Sequence, residues 1–247
     1  MCQTAANQAA QNQPQQDNFS DVLENLREIC YNVENAKAKY RKSGEDIKIM
    51  AVTKTVPAEK VNFAVSQGIT LLGENRVQEY LSKKDLYDKT AEVQFIGRLQ
   101  TNKVKYIIND VTLIQSVDSL KLAGEIDRLA AKNNKVMNVL VEINIGNEAT
   151  KSGVSADGLE ELVWEISQLE NVAVKGLMAI PPVGSGEDVF DKMNGIFLRV
   201  KEKSIPNVSM DILSMGMSGD YELAIKHGSN LVRIGTRLFG VRNYMEG

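Results

Sequence analysis

The sequence predicts an α/β fold: a single (β/α)8 TIM-type barrel with an extra N-terminal helix. Three observations carry this reading. Short strand-like runs alternate with helical patterns, and such alternation implies parallel pairing. The strand candidates number eight within about 200 residues, which suits closure into a barrel. No low-complexity linker divides that body. A doubly wound open sheet is the competing arrangement.

Taken in order, residues 1–17, "MCQTAANQAAQNQPQQD", are rich in Gln, Asn and Ala and lack an apolar period. They are expected to be a disordered tail, and residues 18–247 to be one domain. Phe19, Val22, Leu23, Leu26, Ile29, Cys30, Val33 and Ala36 recur at helical spacing. They predict a long amphipathic helix capped at Ser20 or Asp17. The strand candidates follow as "IKIMAVT", "TLLGE", "EVQFIG", "TLIQSV", "VMNVLVEI", "VAVKGLM", "VSMDILSM" and "LVRIGT". Each of the first seven is followed by a helical pattern or by a stretch long enough for one. "SLKLAGEIDRLAAKN" places Leu120, Ala123, Ile126 and Ala130 on one face; "DGLEELVWEISQL" does the same for Leu159, Leu162, Val163 and Ile166. No second domain is expected after the eighth strand.

Composition excludes several classes. The 247 residues are 43% hydrophobic and 25% charged, with 29 Lys and Arg against 32 Asp and Glu, a net charge of −3. Nonspecific nucleic-acid binding needs a basic surface, so no nucleic-acid partner is expected. No apolar run reaches the roughly 20 residues of a membrane span, and no signal peptide is visible. Two cysteines, Cys2 and Cys30, do not make a disulfide framework. A cytoplasmic protein is expected. A single histidine, His227, rules out a multi-histidine metal centre. It reads as a charge at a helix C-terminus.

Barrel chemistry sits at the C-terminal ends of strands and the loops beyond them. Those positions are Lys54; Glu74 and Asn75; Arg98, Gln100 and Asn102; Glu142 and Asn144; Met178; Ser214 and Met217; and Arg233, Gly235 and Thr236. Lys54 ends an apolar strand. It is either a lysine snorkelling to solvent or a partly buried amine able to attack an aldehyde. Lysine forms Schiff bases readily, and pyridoxal phosphate is the common partner. That second reading requires a phosphate site on the same face. "LVRIGTRLFG" supplies Gly235, which lets the backbone approach an anion, and Thr236, with an N–H and a hydroxyl. "LSMGMSGDYELA" adds the Ser214 hydroxyl and a loop loosened by Gly216 and Gly219, with Ser218 or Asp220 as a cap for the next helix. Loops after strands seven and eight are where barrels often hold phosphate. Arg233 either puts a second cation in the same mouth and helps depress the lysine pKa, or forms a structural ion pair with Glu142 or another acid. Glu74 and Asn75 suit a helix N-terminus, and Asn75 could instead face a cofactor.

The segments "AVTKTVPAEKV", "LGENRVQE", "FIGRLQTNK", "VEINIGNEATKSGV", "GLMAIPP", "LSMGMSGDYELAI" and "VRIGTRLFG" occur in this order. Together they resemble the pyridoxal-phosphate homeostasis protein family, which has the alanine-racemase barrel fold. The resemblance covers residues 18 to 242. It implies one barrel binding pyridoxal 5′-phosphate, with Lys54 as the Schiff-base lysine. Ser214, Gly235 and Thr236 would hold the phosphate, Arg233 would face the pyridine nitrogen, and Asn75 and Met217 would lie near the ring. It also implies a monomer. One departure is visible: where the family often has a histidine beside the third strand, this sequence has Gln94 and Arg98.

An arginine at the pyridine nitrogen keeps that nitrogen unprotonated and weakens the ring as an electron sink. A racemase also needs a second proton-transfer group, a tyrosine from a C-terminal domain in the related two-domain enzymes. No such domain is expected here, and no tyrosine of the chain is placed by the pattern for that role. The resemblance therefore implies a cofactor carrier that maintains intracellular pyridoxal phosphate and supplies apo-enzymes. The alternative is an amino-acid racemase of low activity. A third reading is a phosphate-sugar barrel without aldehyde chemistry.

Overall fold

Near-continuous apolar runs form strands covered on both faces, as parallel sheets require. In the computed structural model, which describes residues 19–148 and 150–241, eight such strands close into a barrel in sequence order. They are β1 (Lys48–Val52), β2 (Leu71–Glu74), β3 (Glu92–Phe95), β4 (Leu113–Val117), β5 (Met137–Ile143), β6 (Val172–Ala179), β7 (Val208–Ser214) and β8 (Leu231–Ile234). Every ladder is parallel, and β8 closes on β1 from Lys48↔Leu231 to Ala51↔Ile234. The open sheet is therefore excluded. The tail of residues 1–17 lies outside the described residues.

The outer helices are α1 (Ser20–Tyr40), α2 (Ala58–Ser66), α3 (Val77–Lys83), α4 (Leu120–Lys132), α5 (Leu159–Ser167), α6 (Glu187–Glu202), α7 (Tyr221–Lys226) and α8 (Thr236–Phe239). The α1 stripe Val22, Leu26, Ile29, Val33 and Ala36 is buried. Its start differs from the prediction. Phe19 occupies the N-cap without a side-chain capping bond, so Ser20 is already helical, and Asp17 lies outside the described residues. In α5 all four predicted apolar residues are buried. In α4 the stripe is Leu122, Ala123, Ile126, Leu129 and Ala130, while Leu120 is exposed because the Ser119 cap starts the helix one position ahead of it. After β3 the chain makes only a 3-10 helix, Thr101–Tyr106, and neither Thr101 nor Asn102 caps it. Among the described residues, no helix is long and apolar enough to cross a membrane, and no cluster of metal-ligating side chains occurs.

The inside of the barrel has two apolar clusters, Met50, Val52, Leu71, Ile96 and Leu231, and Leu113, Leu140 and Met178. Side chains alternate across a strand with a period of two. Continuing the inward positions toward the C-terminal ends takes Met50 and Val52 to Lys54, Leu231 to Arg233 and Gly235, and Leu113 to Gln115. The mouth is polar because the same inward rows change from apolar to polar one step from the strand ends. The β7–β8 ladder is short, with Ser214↔Leu231 as its registered pair. One more main-chain bond, Arg233 N–H to Gly216 O at 3.0 Å, joins the two strands before they part and the loop toward residue 220 opens at that corner.

Candidate functional site

Lys54 follows β1 in a tight turn and is half-buried. The Val56 N–H closes that turn on the Thr53 carbonyl at 3.1 Å. Thr55 then occupies a position that demands positive φ, and its φ is 62°. Glycine is the usual residue there, and a β-branched side chain in the left-handed region is strained. Bonds from outside hold the turn. Thr55 N–H donates to Glu79 Oε1 at 2.5 Å. Lys83 Nζ donates to Thr53 O at 2.9 Å and to Glu79 Oε1 at 2.7 Å. Thr53 Oγ1 donates to Glu74 Oε1 at 2.7 Å, and Tyr87 OH donates to the same oxygen.

Glu74 thus does not cap a helix. As the last residue of β2 it alternates outward, beneath α3, where it is fully buried. Burial pushes its carboxyl pKa up, against the pull of Lys83. The N-cap of α3 is Arg76, without a side-chain capping bond. Asn75 turns instead toward the mouth side, and its Oδ1 is buried with no hydrogen-bond partner among the described residues. Its main chain packs so closely on Gly97 that a Cβ there would lie 2.1 Å from Asn75 O.

On the neighbouring strand β8, where its Cα partner in β1 is Met50, Arg233 is 3% exposed. Its Nη1 donates to Ser214 Oγ at 2.6 Å and its Nη2 to Ala179 O at 2.9 Å. Ser214 Oγ donates to Gln115 Oε1 at 2.7 Å, Gln115 Nε2 to Gln94 Oε1 at 2.7 Å, and Gln94 Nε2 to Glu92 Oε1 at 2.9 Å. A single string of hydrogen bonds therefore crosses the barrel interior and ends on the guanidinium. Burial pushes the Arg233 pKa down to about 10, so it remains protonated at neutral pH. Glu142 attracts it across the mouth, but its Oε1 accepts from Ser152 Oγ at 2.8 Å. Among the described residues Arg233 forms no ion pair with Glu142: the guanidinium donates to Ser214 and Ala179. Burial also raises the Glu142 pKa, countered by Ser152, Arg233 and Arg98.

The third corner lies where β7 and β8 part. Ser218 Oγ accepts from Gly235 N–H at 3.3 Å and from Arg237 N–H at 3.2 Å. Gly235 is the N-cap of α8, and Thr236 is exposed beside it. Gly216, at φ 91°, allows the loop to fold over α7; a Cβ there would lie 2.5 Å from that of Ala224. Met217 is half-buried, and its N–H donates to Asp220 Oδ1 at 2.5 Å. Asp220 occupies the N-cap of α7, one of the two positions the sequence suggested, but makes no side-chain capping bond to the helix.

The structure thus gives Ser214 and Ser218 different surroundings. Ser214, the serine chosen from sequence, is committed to Arg233 and Gln115 inside the barrel. Ser218, read as a cap, lies against the amides of Gly235 and Arg237. Spacing could not separate two serines four residues apart; the parting of β7 from β8 does. Sequence reasoning also missed Glu79 and Lys83, although their i,i+4 spacing on α3 is a legible pair. His227 is the C-cap of α7 and faces Glu187 and Asp191 at 3.5 Å each, on the side away from the mouth.

A parallel barrel with an amine at β1, a buried arginine at β8 and a serine–glycine corner between β7 and β8 is the racemase-type barrel. The family model described as "Alanine racemase, N-terminal domain" matches residues 5–243. The chain belongs to the pyridoxal phosphate homeostasis protein family within that fold. It is 45% identical over 229 residues to the pyridoxal phosphate homeostasis protein of Aquifex aeolicus, covering 91% of this chain and all of that one. It is 35% identical to the Escherichia coli protein of the same name, covering 92% and 99%. Among solved structures, PipY of Synechococcus elongatus with PLP bound is 29% identical at TM-score 0.72, covering 86% of this chain and 100% of that one. An alanine racemase of Clostridium difficile, 20% identical at TM-score 0.70, shares the fold over 91% of this chain and 58% of its own.

Proposed function

We propose that this chain binds pyridoxal 5′-phosphate reversibly at the barrel mouth, holds it through Lys54, and thereby buffers the free cofactor and supplies apo-enzymes in the cytoplasm. It does so as a monomer and without turnover of its own. When bound, the cofactor supplies an aldehyde with which an amine condenses, losing water. The residues fit it. Lys54 offers the amine. Ser218, Gly235 and Thr236, with the Arg237 amide, offer donors to a phosphate. Arg233 offers a cation for the ring nitrogen, and Ser214 fixes that guanidinium. Asn75 Oδ1, buried and without a partner among the described residues, fits a polar group at the ring edge, with Met217 covering the ring from the β7 loop. The observation that carries the reading is the strained Thr55 turn, which holds Lys54 at the end of an otherwise apolar inward row.

The racemase alternative needs a second proton donor facing the amine. Two of the buried tyrosines bond elsewhere: Tyr87 OH donates to Glu74, and Tyr221 OH accepts from Asn32 at 3.1 Å. Lys54→Ala should abolish the visible absorbance of the Schiff base. A variant that kept the band would shift the assignment to another lysine, Lys151 or Lys103 first. Racemisation of alanine or serine faster than about 1 s⁻¹, an ordinary enzymic rate, would overturn the carrier reading.

A further inference from the structure

We propose that Lys83 is a positioning residue for Lys54, acting as a fixed internal cation that holds the Lys54 turn from behind the barrel wall. The inference rests on the cofactor reading of Lys54 and concerns a residue that touches no part of the mouth.

The geometry is specific. Thr53, outward on the β1 row, and Glu74, outward on β2, bond to each other on the face of the wall covered by α3. The Lys83 side chain comes from the last turn of that helix and is 12% exposed. Its ammonium has three N–H groups. They meet Thr53 O at 2.9 Å, Val56 O at 3.3 Å and Glu79 Oε1 at 2.7 Å, with Glu74 Oε1 at 3.8 Å. Thr53 O and Val56 are the two ends of the turn that contains Lys54. Glu79, held by Lys83, in turn accepts the Thr55 N–H. Both peptide groups flanking Lys54 are therefore pinned, one by its carbonyl and one by its N–H.

Such pinning matters because the turn opposes it. Left to itself, a threonine leaves the left-handed region, and the chain would rotate Lys54 away from the inward row. Strain of this kind persists only where the surroundings over-determine it, and it gathers at functional sites. Nearby Lys84 pairs with Asp110 and makes no bond to the turn, so the role belongs to one lysine of the two.

The test uses the full chain. Lys83→Met removes the cation and keeps the aliphatic stem. Lys135→Met is the control: Lys135 Nζ also donates to a main-chain carbonyl, Ile108 O at 2.8 Å, but in the turn that enters β5, at the other end of the barrel. Three quantities are read: pyridoxal phosphate affinity, the fraction of bound cofactor that carries the Schiff-base band and is trapped on Lys54 by borohydride, and Thr55 amide exchange without cofactor. Lys83→Met should weaken affinity about tenfold, the scale of losing charged hydrogen bonds, lower the trapped fraction and speed Thr55 exchange. Lys135→Met should change none of the three. A loss of stability alone would not move the trapped fraction. If Lys83→Met fails to fold, Glu79→Gln takes its place, with the same three readouts and a smaller loss. If the variant matches the Lys135→Met control in affinity and trapped fraction, the inference is overturned. Lys54→Ala separates the two levels: adduct retained there defeats the cofactor reading, whereas adduct lost there with Lys83→Met unaltered defeats only the role of Lys83.

Discussion

The lysine corner of the mouth is held by charged side chains and the arginine corner by neutral hydrogen-bond partners, although each presents one cation. Around Lys54, two carboxylates and an ammonium brace a strained turn close to solvent. Around Arg233, a serine and two glutamines lead in single file through the barrel interior. The difference follows from where each strand end lies. β1 and β2 back onto α3, which brings long charged side chains to the wall. The string from Arg233 through Ser214, Gln115 and Gln94 lies inside the barrel, where charge is costly and amides can satisfy one another. An amine that must react and let go suits an adjustable brace. An arginine that must remain fixed suits a closed, fully satisfied string.

The comparison is broken most forcefully at Gln115. Gln115→Leu leaves the Ser214 hydroxyl without its acceptor and Gln94 Oε1 without its donor, both in a buried string. Each buried orphan costs about 1–3 kcal/mol, so a loss of about 3 kcal/mol is expected, read as the urea midpoint at constant slope. Glu79→Gln, at the half-exposed lysine corner, should cost about 1 kcal/mol. Equal losses at the two corners would erase the distinction. The next effect has the opposite sign. Thr55→Gly relieves a left-handed threonine at φ 62° and should stabilise the cofactor-free protein by about 1 kcal/mol. For a chain of this size that raises the thermal midpoint by roughly 2–4 °C. The same variant should bind pyridoxal phosphate more weakly, because the turn is no longer confined. A Thr55→Gly protein that unfolds earlier would show that the turn stores no strain.

The barrel itself was legible because its signal is periodic. Eight apolar runs separated by helical patterns left little choice, and the β1, β7 and β8 ends were located from residue type alone. Lys54, Arg233 and Gly235 stand where inward alternation carries them. What could not be read is whatever depends on contacts distant in sequence. Ser214 and Ser218 are indistinguishable by composition, and the parting of β7 from β8 gives one to Arg233 and the other to the Gly235 amide. Glu74 resembled a helix cap in "GENRVQEY", but the outward row of β2 places it under α3. The string from Glu92 to Arg233 joins residues from four strands spread over more than a hundred positions, and no local pattern announces it.

The smallest expected effect lies at a carboxyl on the far side of the mouth, Glu142 on β5, which feels Asp118, Arg98 and Arg233. Its folded pKa lies above its ordinary value because burial disfavours the charged form. The sign follows from proton linkage. A raised pKa stabilises the fold most below the unfolded value, and that contribution is lost as pH climbs through the folded one. Glu142→Gln is neutral throughout and keeps an oxygen for the Ser152 hydroxyl. It should therefore be more stable than the wild type near neutral pH, by somewhat under about 1 kcal/mol, because Arg233 loses an attractive neighbour in the same change. Urea unfolding at about pH 7 and again near pH 4.5 measures it. The advantage should shrink toward acid pH, where the wild-type carboxyl is also neutral. If it grew instead, Glu142 would be held in its charged form by the arginines. The arginine corner would then depend on charge as the lysine corner does.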